Sequence, residues 1–156
     1  MEVLVTGGAG YIGSTVCSAL SDNDHEVIIL DSLAKGNSTF ITDKTFYKGD
    51  ISDRTILLRI LDEHPDISAV IHCAALILVP ESVEKPYLYY RENVSKSLEF
   101  FKILSELNIN RIVFSSSASI YEANSGRIVT ENSPLKPISP YAKTKLAIEM
   151  VLEDFC

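Results

Sequence analysis

Thr6-Gly7-Gly8-Ala9-Gly10-Tyr11-Ile12-Gly13 lies between the apolar run Val3-Leu4-Val5 and an amphipathic segment that begins near Tyr11. The order reads as a strand, a tight turn and a helix start. Glycines at 7, 10 and 13 let the backbone turn sharply, approach a pyrophosphate closely and seat the helix on a sheet, while the helix start offers unpaired N–H groups to an anion. Gly8, Gly10 and Gly13 also satisfy G-x-G-x-x-G, so the spacing alone leaves a purely structural turn open.

The surroundings narrow that choice. A second β-rich run, Val27-Ile28-Ile29-Leu30, ends at Asp31 and completes a βαβ unit. Asp31 falls about 20 positions after the turn, where an acid accepts hydrogen bonds from the adenosine ribose. It favours NAD, because a carboxylate repels the extra phosphate of NADP; nearby Lys35 leaves NADP disfavoured rather than excluded.

Working outward, Ile12, Val16, Ala19 and Leu20 predict a helix over residues 11–22, ended by Asp22-Asn23-Asp24. A polar loop over residues 34–38 could wrap the adenosine. Thr45–Lys48 reads as the third strand, stopping at Gly49-Asp50-Ile51. Ser52 is the expected N-cap of a helix carrying Ile56, Leu57, Ile60 and Leu61, which Pro65 closes. Residues 69–73 form a nearly continuous apolar fourth strand leading to Ala74-Ala75. His72 within it reads as hydrogen-bonded packing. A helix is expected over residues 86–107 with two apolar stripes, one of Val94, Leu98, Phe101 and Leu104, the other of Phe100, Ile103 and Leu107; two stripes imply a cover besides the chain's own sheet. Residues 111–114 form the fifth strand, which runs into Ser115-Ser116-Ser117. A loop with Gly126, Pro134, Pro137 and Pro140 leads to a last helix over residues 141–155. The expected fold is α/β: a doubly wound, Rossmann-type parallel sheet of about five strands, with the ligand along the strands' carboxyl ends.

Composition sets bounds. A chain of 156 residues with 46% hydrophobic and 22% charged residues suits a single globular domain. No apolar run is long enough to span a bilayer and the N-terminus enters a strand directly, so a cytoplasmic location is expected. The net charge of −7 argues against nucleic acid or an anionic membrane as partner. Cys17, Cys73 and Cys156 lack metal-site spacing and disulfide density; they read as reduced thiols, and no metal is expected.

The chemistry points to a pair in the last helix. Tyr141 and Lys145 stand at i and i+4 and share a face. An ammonium beside a phenol favours the phenolate, and an oxidised nicotinamide adds a further positive charge, which makes the pair a usable base for an alcohol proton. Ser117, at the end of the fifth strand, could bridge substrate alcohol and tyrosine, with Ser115 nearer the nicotinamide. Ser117, Tyr141 and Lys145 together describe reversible hydride transfer at a secondary alcohol.

These stretches, with Glu81-Ser82-Val83-Glu84-Lys85-Pro86, Tyr89-Tyr90, Asn93 and Ser115-Ser116-Ser117-Ala118, resemble the UDP-glucose 4-epimerase family of the extended short-chain dehydrogenase/reductase superfamily. The resemblance covers the whole chain. Related dehydratases typically carry Thr-Asp-Glu after the fifth strand; here Ser117, Ala118 and Ser119 stand there, so epimerisation is preferred. The resemblance implies that Tyr141 takes the sugar's C4 hydroxyl proton as hydride passes to NAD, and that the resulting 4-keto sugar turns over and is reduced on its other face. It places Gly7, Gly10, Tyr11, Ile12 and Gly13 at the pyrophosphate, and Asp31, Ser32 and Ser38 at the adenosine ribose or its phosphate side. Asp50 and Ile51 meet adenine; Ala74, Ala75, Leu76, Asn93, Ser115, Tyr141 and Lys145 line the nicotinamide end.

Ile77 and Glu122 depart from the family pattern, which often has lysine and glycine there, and Ser32 replaces an asparagine of some relatives. Family members are about twice as long, so the resemblance implies an N-terminal portion, residues 1–156, without the carboxyl-terminal substrate domain. Such a portion is expected to be inactive alone and to self-associate, through an apolar fifth-strand edge or through the helices that form the family's dimer interface. The UDP-sugar partner belongs to the longer protein. Another nucleotide-sugar epimerase or reductase, or a non-catalytic dinucleotide sensor, are the competing readings; an intact triad argues against the sensor.

Overall fold

The computed structural model of the chain describes residues 1–122 and 128–155. The expected loop glycine, Gly126, and the Cys156 thiol lie outside the described residues. Two compact units are distinguished: Met1–Ala75 with Glu99–Ser115, and Leu76–Leu98 with the described residues from Ser116 onward.

The first unit holds the sheet. Strands β1 (Glu2–Thr6), β2 (Glu26–Asp31), β3 (Thr45–Lys48), β4 (Ile67–His72) and β5 (Ile112–Phe114) are all parallel, in the order β3-β2-β1-β4-β5. The chain moves one way from β1 to β3 and the other way through β4 and β5, so the order reverses between β1 and β4. Ligands of open α/β sheets lie at such a reversal, outside the strands' carboxyl ends. Val3, Val5, Val27 and Ile29 face one side with Ala9, Cys17 and Ile41. Leu4, Ile28, Leu30, Leu57, Ile60 and Val70 are fully buried as well. Burial on both faces explains why these strands read as unbroken apolar runs, and each such side chain contributes about 1.5–3 kcal/mol. Burial pushes the Cys17 thiol up to about 11, so it stays a protonated packing group.

Helix α1 (Tyr11–Ser21) ends where the polar triplet predicts, with Asp22 as its cap and Asp24 in the left-handed region at φ 59°. Helix α2 (Arg54–Glu63) is capped by Asp53, not by Ser52: Asp53 Oδ1 accepts from the Thr55 and Ile56 N–H groups. Ser52 turns back to Asp50 instead, donating its hydroxyl to Asp50 Oδ1 at 2.7 Å. The fourth strand starts two residues before its expected position because Ile67 already pairs with Glu2.

His72 is buried, 2.7 Å from Thr6 Oγ1 and ringed by Phe100, Phe101 and Phe114, which is the packing role its setting suggested. At the sheet's edge, β5 pairs among the described residues with β4 alone and leaves Val113 62% exposed.

The expected helix over residues 86–107 is three consecutive segments: α3 (Val79–Glu84) precedes it, then α4 (Pro86–Tyr89), a π turn (Tyr90–Ser95) and α5 (Lys96–Glu106). The two stripes are not two covered faces. Phe100, Phe101, Ile103 and Leu104, drawn from both, are buried, whereas Leu98 and Leu107 are exposed. Leu98 and Leu107 are the stripe members that the single chain leaves uncovered.

The second unit is completed by a 3-10 turn (Ala118–Ile120) and α6 (Pro140–Phe155), which pack on each other. Ser139 Oγ accepts the Ala142 N–H at 3.1 Å and Pro140 occupies the first helical position, so α6 has both a side-chain cap and a preset first turn. Among the described residues no helix is long and apolar enough to cross a membrane.

Candidate functional site

The glycine-rich turn is built by steric demands. Gly7 sits at φ 72°, and a Cβ there would lie 2.6 Å from Ala74 N, because β1 and β4 deliver their chains to the same place. A Cβ on Gly13 would stand 2.2 Å from Gly7 O. Gly10 has more room, its closest neighbour at 3.2 Å, and no side chain caps α1 at this residue. Tyr11 and Ile12 are exposed beside it. Backbone free of Cβ atoms and a helix start without a side-chain cap are what a pyrophosphate requires, so these residues fit a dinucleotide.

Asp31 closes β2 beside the turn. Its Oδ2 accepts the Ala9 N–H at 3.0 Å and its Oδ1 accepts the Leu33 N–H at 2.8 Å. A carboxylate has about four acceptor positions, so capacity for ribose hydroxyls remains. The loop that follows is tied to the turn by Asn37 N–H donating to Ala9 O at 2.9 Å. Ser32 and Ser38 on that loop are exposed. Asp50 folds around Ser52, and Ile51 beside it is buried. Ala74, Ala75 and Ser115 follow β4 and β5, and the Ser115 N–H continues the ladder to His72 O at 3.0 Å. The carboxyl ends of all five strands thus carry expected cofactor residues.

The second unit holds the proton chemistry. Lys145 is only 3% exposed, and its ammonium lies 6.0 Å from the centre of the Tyr141 ring, one turn away on α6. A lysine is seldom buried without a task. Ser117 caps the 3-10 turn: its Oγ accepts the Ser119 N–H at 3.3 Å and lies 2.9 Å from Ser119 Oγ. Glu122, one of the departures from the family pattern, pairs with Lys136 at 2.6 Å; Ile77, another, is 63% exposed.

Asn93, on the π turn, does more than its motif position suggested. Its Oδ1 accepts the Leu76 N–H at 2.8 Å, and its Nδ2 donates to Leu76 O at 3.0 Å and to Thr144 Oγ1 at 3.1 Å. Thr144 donates in turn to Tyr141 O at 2.7 Å. Asn93 therefore clamps the Leu76 backbone and, through Thr144, the first turn of the helix that presents Tyr141. Replacing it by leucine leaves several buried polar groups unpaired, at about 1–3 kcal/mol each, so Asn93→Leu is expected to lower stability by about 2–4 kcal/mol in urea unfolding. A loss below ~0.5 kcal/mol would show that the clamp carries no weight.

Tyr89 acts similarly. It is buried, its hydroxyl accepts the Leu78 N–H at 2.9 Å and faces Leu78 O and Glu81, and burial with the Glu81 carboxylate pushes the phenol up to about 12. Thr144 has no sequence signal beyond an ordinary polar residue on a helix, and Tyr89 has only its place in the Tyr89-Tyr90 pair of the family pattern.

A family model described as "NAD dependent epimerase/dehydratase family" matches residues 3–156. This chain belongs to that family. The epimerase/dehydratase chain is similar to the UDP-glucose 4-epimerases of Lactobacillus helveticus (42% identity, 97% of this chain, 46% of the relative) and Halalkalibacterium halodurans (45%, 96% and 44%). The solved UDP-glucose 4-epimerase of Stenotrophomonas maltophila, with bound NAD and formylated UDP-arabinopyranose, superposes with a TM-score of 0.92 at 38% identity, over 99% of this chain and 48% of that one. The chain spans about half the length of the curated relatives it matches.

Proposed function

We propose that these 156 residues are the cofactor-binding and proton-transferring part of a UDP-hexose 4-epimerase that uses NAD. The observation that carries this reading is the buried Lys145 ammonium beside Tyr141, on a chain whose turn needs glycine at 7 and 13 to close on its own backbone and leaves the start of α1 without a side-chain cap. NAD, when bound, supplies hydride acceptance and return. Tyr141 acts as the phenolate that the Lys145 ammonium favours, takes the proton of the sugar's C4 hydroxyl and becomes the neutral phenol as hydride leaves C4, and Ser117 orients the hydroxyl by hydrogen bonding. Gly7, Gly10, Tyr11, Ile12 and Gly13 hold the pyrophosphate, and Asp31, Ser32 and Ser38 the adenosine ribose side. Asp50 and Ile51 receive adenine; Ala74, Ala75, Leu76, Asn93 and Ser115 line the nicotinamide end. Residues outside this stretch grip the uridine diphosphate, the protein resides in the cytoplasm, and a second copy of the chain covers the exposed β5 edge.

Titration of the purified chain with NAD tests the first step. Saturable binding is expected, weakened at least tenfold by Asp31→Ala, with little or no conversion of UDP-galactose by the chain alone. Absence of NAD binding, or binding indifferent to Asp31, sinks the reading. Light scattering on the same samples is expected to show self-association, and a stable monomer at micromolar concentration rules out the second copy.

A further inference from the structure

The amino-terminal edge of the sheet, opposite the edge that carries the dinucleotide residues, gathers a second set of chemically active groups. Glu2 and Glu26 are register partners on the parallel strands β1 and β2, so their carboxylates emerge side by side. His64 follows α2, held by its N–H to Ile60 O at 2.9 Å and by its own carbonyl, which accepts the Ile67 N–H at 3.2 Å. The ligand atoms of Glu2, Glu26 and His64 all lie within 4.8 Å of one another.

The hydrogen bonds around His64 decide what this cluster lacks. Tyr47 has one phenolic proton and donates it to Glu63. The Tyr47 oxygen, 3.0 Å from His64 Nε2, accepts from that nitrogen when its own proton goes to Glu63, and in the neutral imidazole the Nδ1 lone pair then lies on the other side of the ring. That lone pair faces Glu2 Oε2 at 3.8 Å. Glu2 Oε2 is itself shut off from water and has no hydrogen-bond partner among the described residues. Two acceptors thus face each other across a gap, with the Glu26 carboxylate beside them and open to solvent.

We propose that Glu2, Glu26 and His64 bind one divalent transition-metal ion of the zinc class. One imidazole nitrogen and two carboxylates suit zinc, water from the open Glu26 side can complete the tetrahedron, and a hydrogen-bond partner on the other imidazole nitrogen, here the Tyr47 hydroxyl, is the usual companion of a histidine ligand. Tetrahedral ligands at ~2.0–2.2 Å stand roughly 3.5 Å apart, so a small rotation of the glutamates closes the set. The ion ties β1, β2 and the α2–β4 connection together, away from the carboxyl ends of the strands, and so acts as a staple for the sheet.

The test is zinc titration of the chelator-stripped 156-residue chain, followed by calorimetry, thermal unfolding and imidazole nitrogen NMR. One zinc per chain is expected, with a rise of several degrees in the unfolding midpoint, a shift of the His64 Nδ1 resonance and no comparable rise with magnesium. His64→Ala and the near-isosteric pair Glu2→Gln/Glu26→Gln should each weaken zinc binding at least tenfold. Zinc binding unchanged in the Gln pair, or a His64 Nδ1 resonance that zinc does not move, overturns the site. The Gln pair and the NMR readout remain decisive if His64→Ala does not fold.

Discussion

Gly13→Ala is expected to abolish NAD binding and to cost the chain most of its stability. The added Cβ would stand 2.2 Å from Gly7 O and 2.8 Å from Gly7 C, and both are backbone atoms with no rotamer to move. Gly7 cannot retreat, because its φ of 72° and its approach to Ala74 are fixed by the meeting of β1 with β4. The remaining escape is to lift the start of α1 off the turn, which exposes the packing of Cys17 and Ile29 beneath it. A backbone collision in a core of this kind belongs to the exceptional class above about 4 kcal/mol, against a total of about 5–15 kcal/mol for a domain. Gly10→Ala is the control. Its nearest approach of 3.2 Å requires a shift of only a few tenths of an ångström, so stability should fall by less than ~1 kcal/mol. Urea midpoints of the two variants measure the contrast, and a Gly13→Ala protein as stable as its parent would refute the steric account.

That contrast also shows why the turn was legible in the sequence. Glycine spacing reports backbone sterics, which at Gly10 and Gly13 are set by Gly7 within the same turn. The strands were legible for a related reason, since burial on both faces leaves continuous apolar runs such as Val27–Leu30. What stayed hidden depends on partners far along the chain or on small choices between equals. Ser52 and Asp53 are both good caps, and Asp50 decided between them by engaging Ser52. Segment α3 carries Pro80 at its start and too few residues to show a period. The π turn at Tyr90–Ser95 shifts the register within an apparently regular helix and brings buried Asn93 to the Leu76 backbone, which no spacing rule reveals. Glu2, Glu26 and His64 are likewise separated by whole elements, so no short spacing brings them together in the sequence.

The proton-transfer half of the proposed reaction rests on one atom, and its removal should produce the largest loss of activity. In a chimera where residues 1–156 replace the matching part of the Lactobacillus helveticus epimerase, Tyr141→Phe is expected to reduce UDP-galactose conversion by about 10³-fold or more, roughly 4 kcal/mol of barrier. The change deletes the hydroxyl and leaves the ring. Lys145 keeps its apolar neighbour, and Thr144 keeps its acceptor, because Thr144 holds the Tyr141 carbonyl and not its side chain. Stability and NAD affinity should therefore stay within about threefold of the parent, which separates a chemical role from a structural one. Lys145→Met should weaken both, since the buried ammonium has interactions of its own besides its place near the ring. If Tyr141→Phe turned over at the parental rate while binding NAD normally, the base would have to lie elsewhere and the pairing with Lys145 would be packing alone.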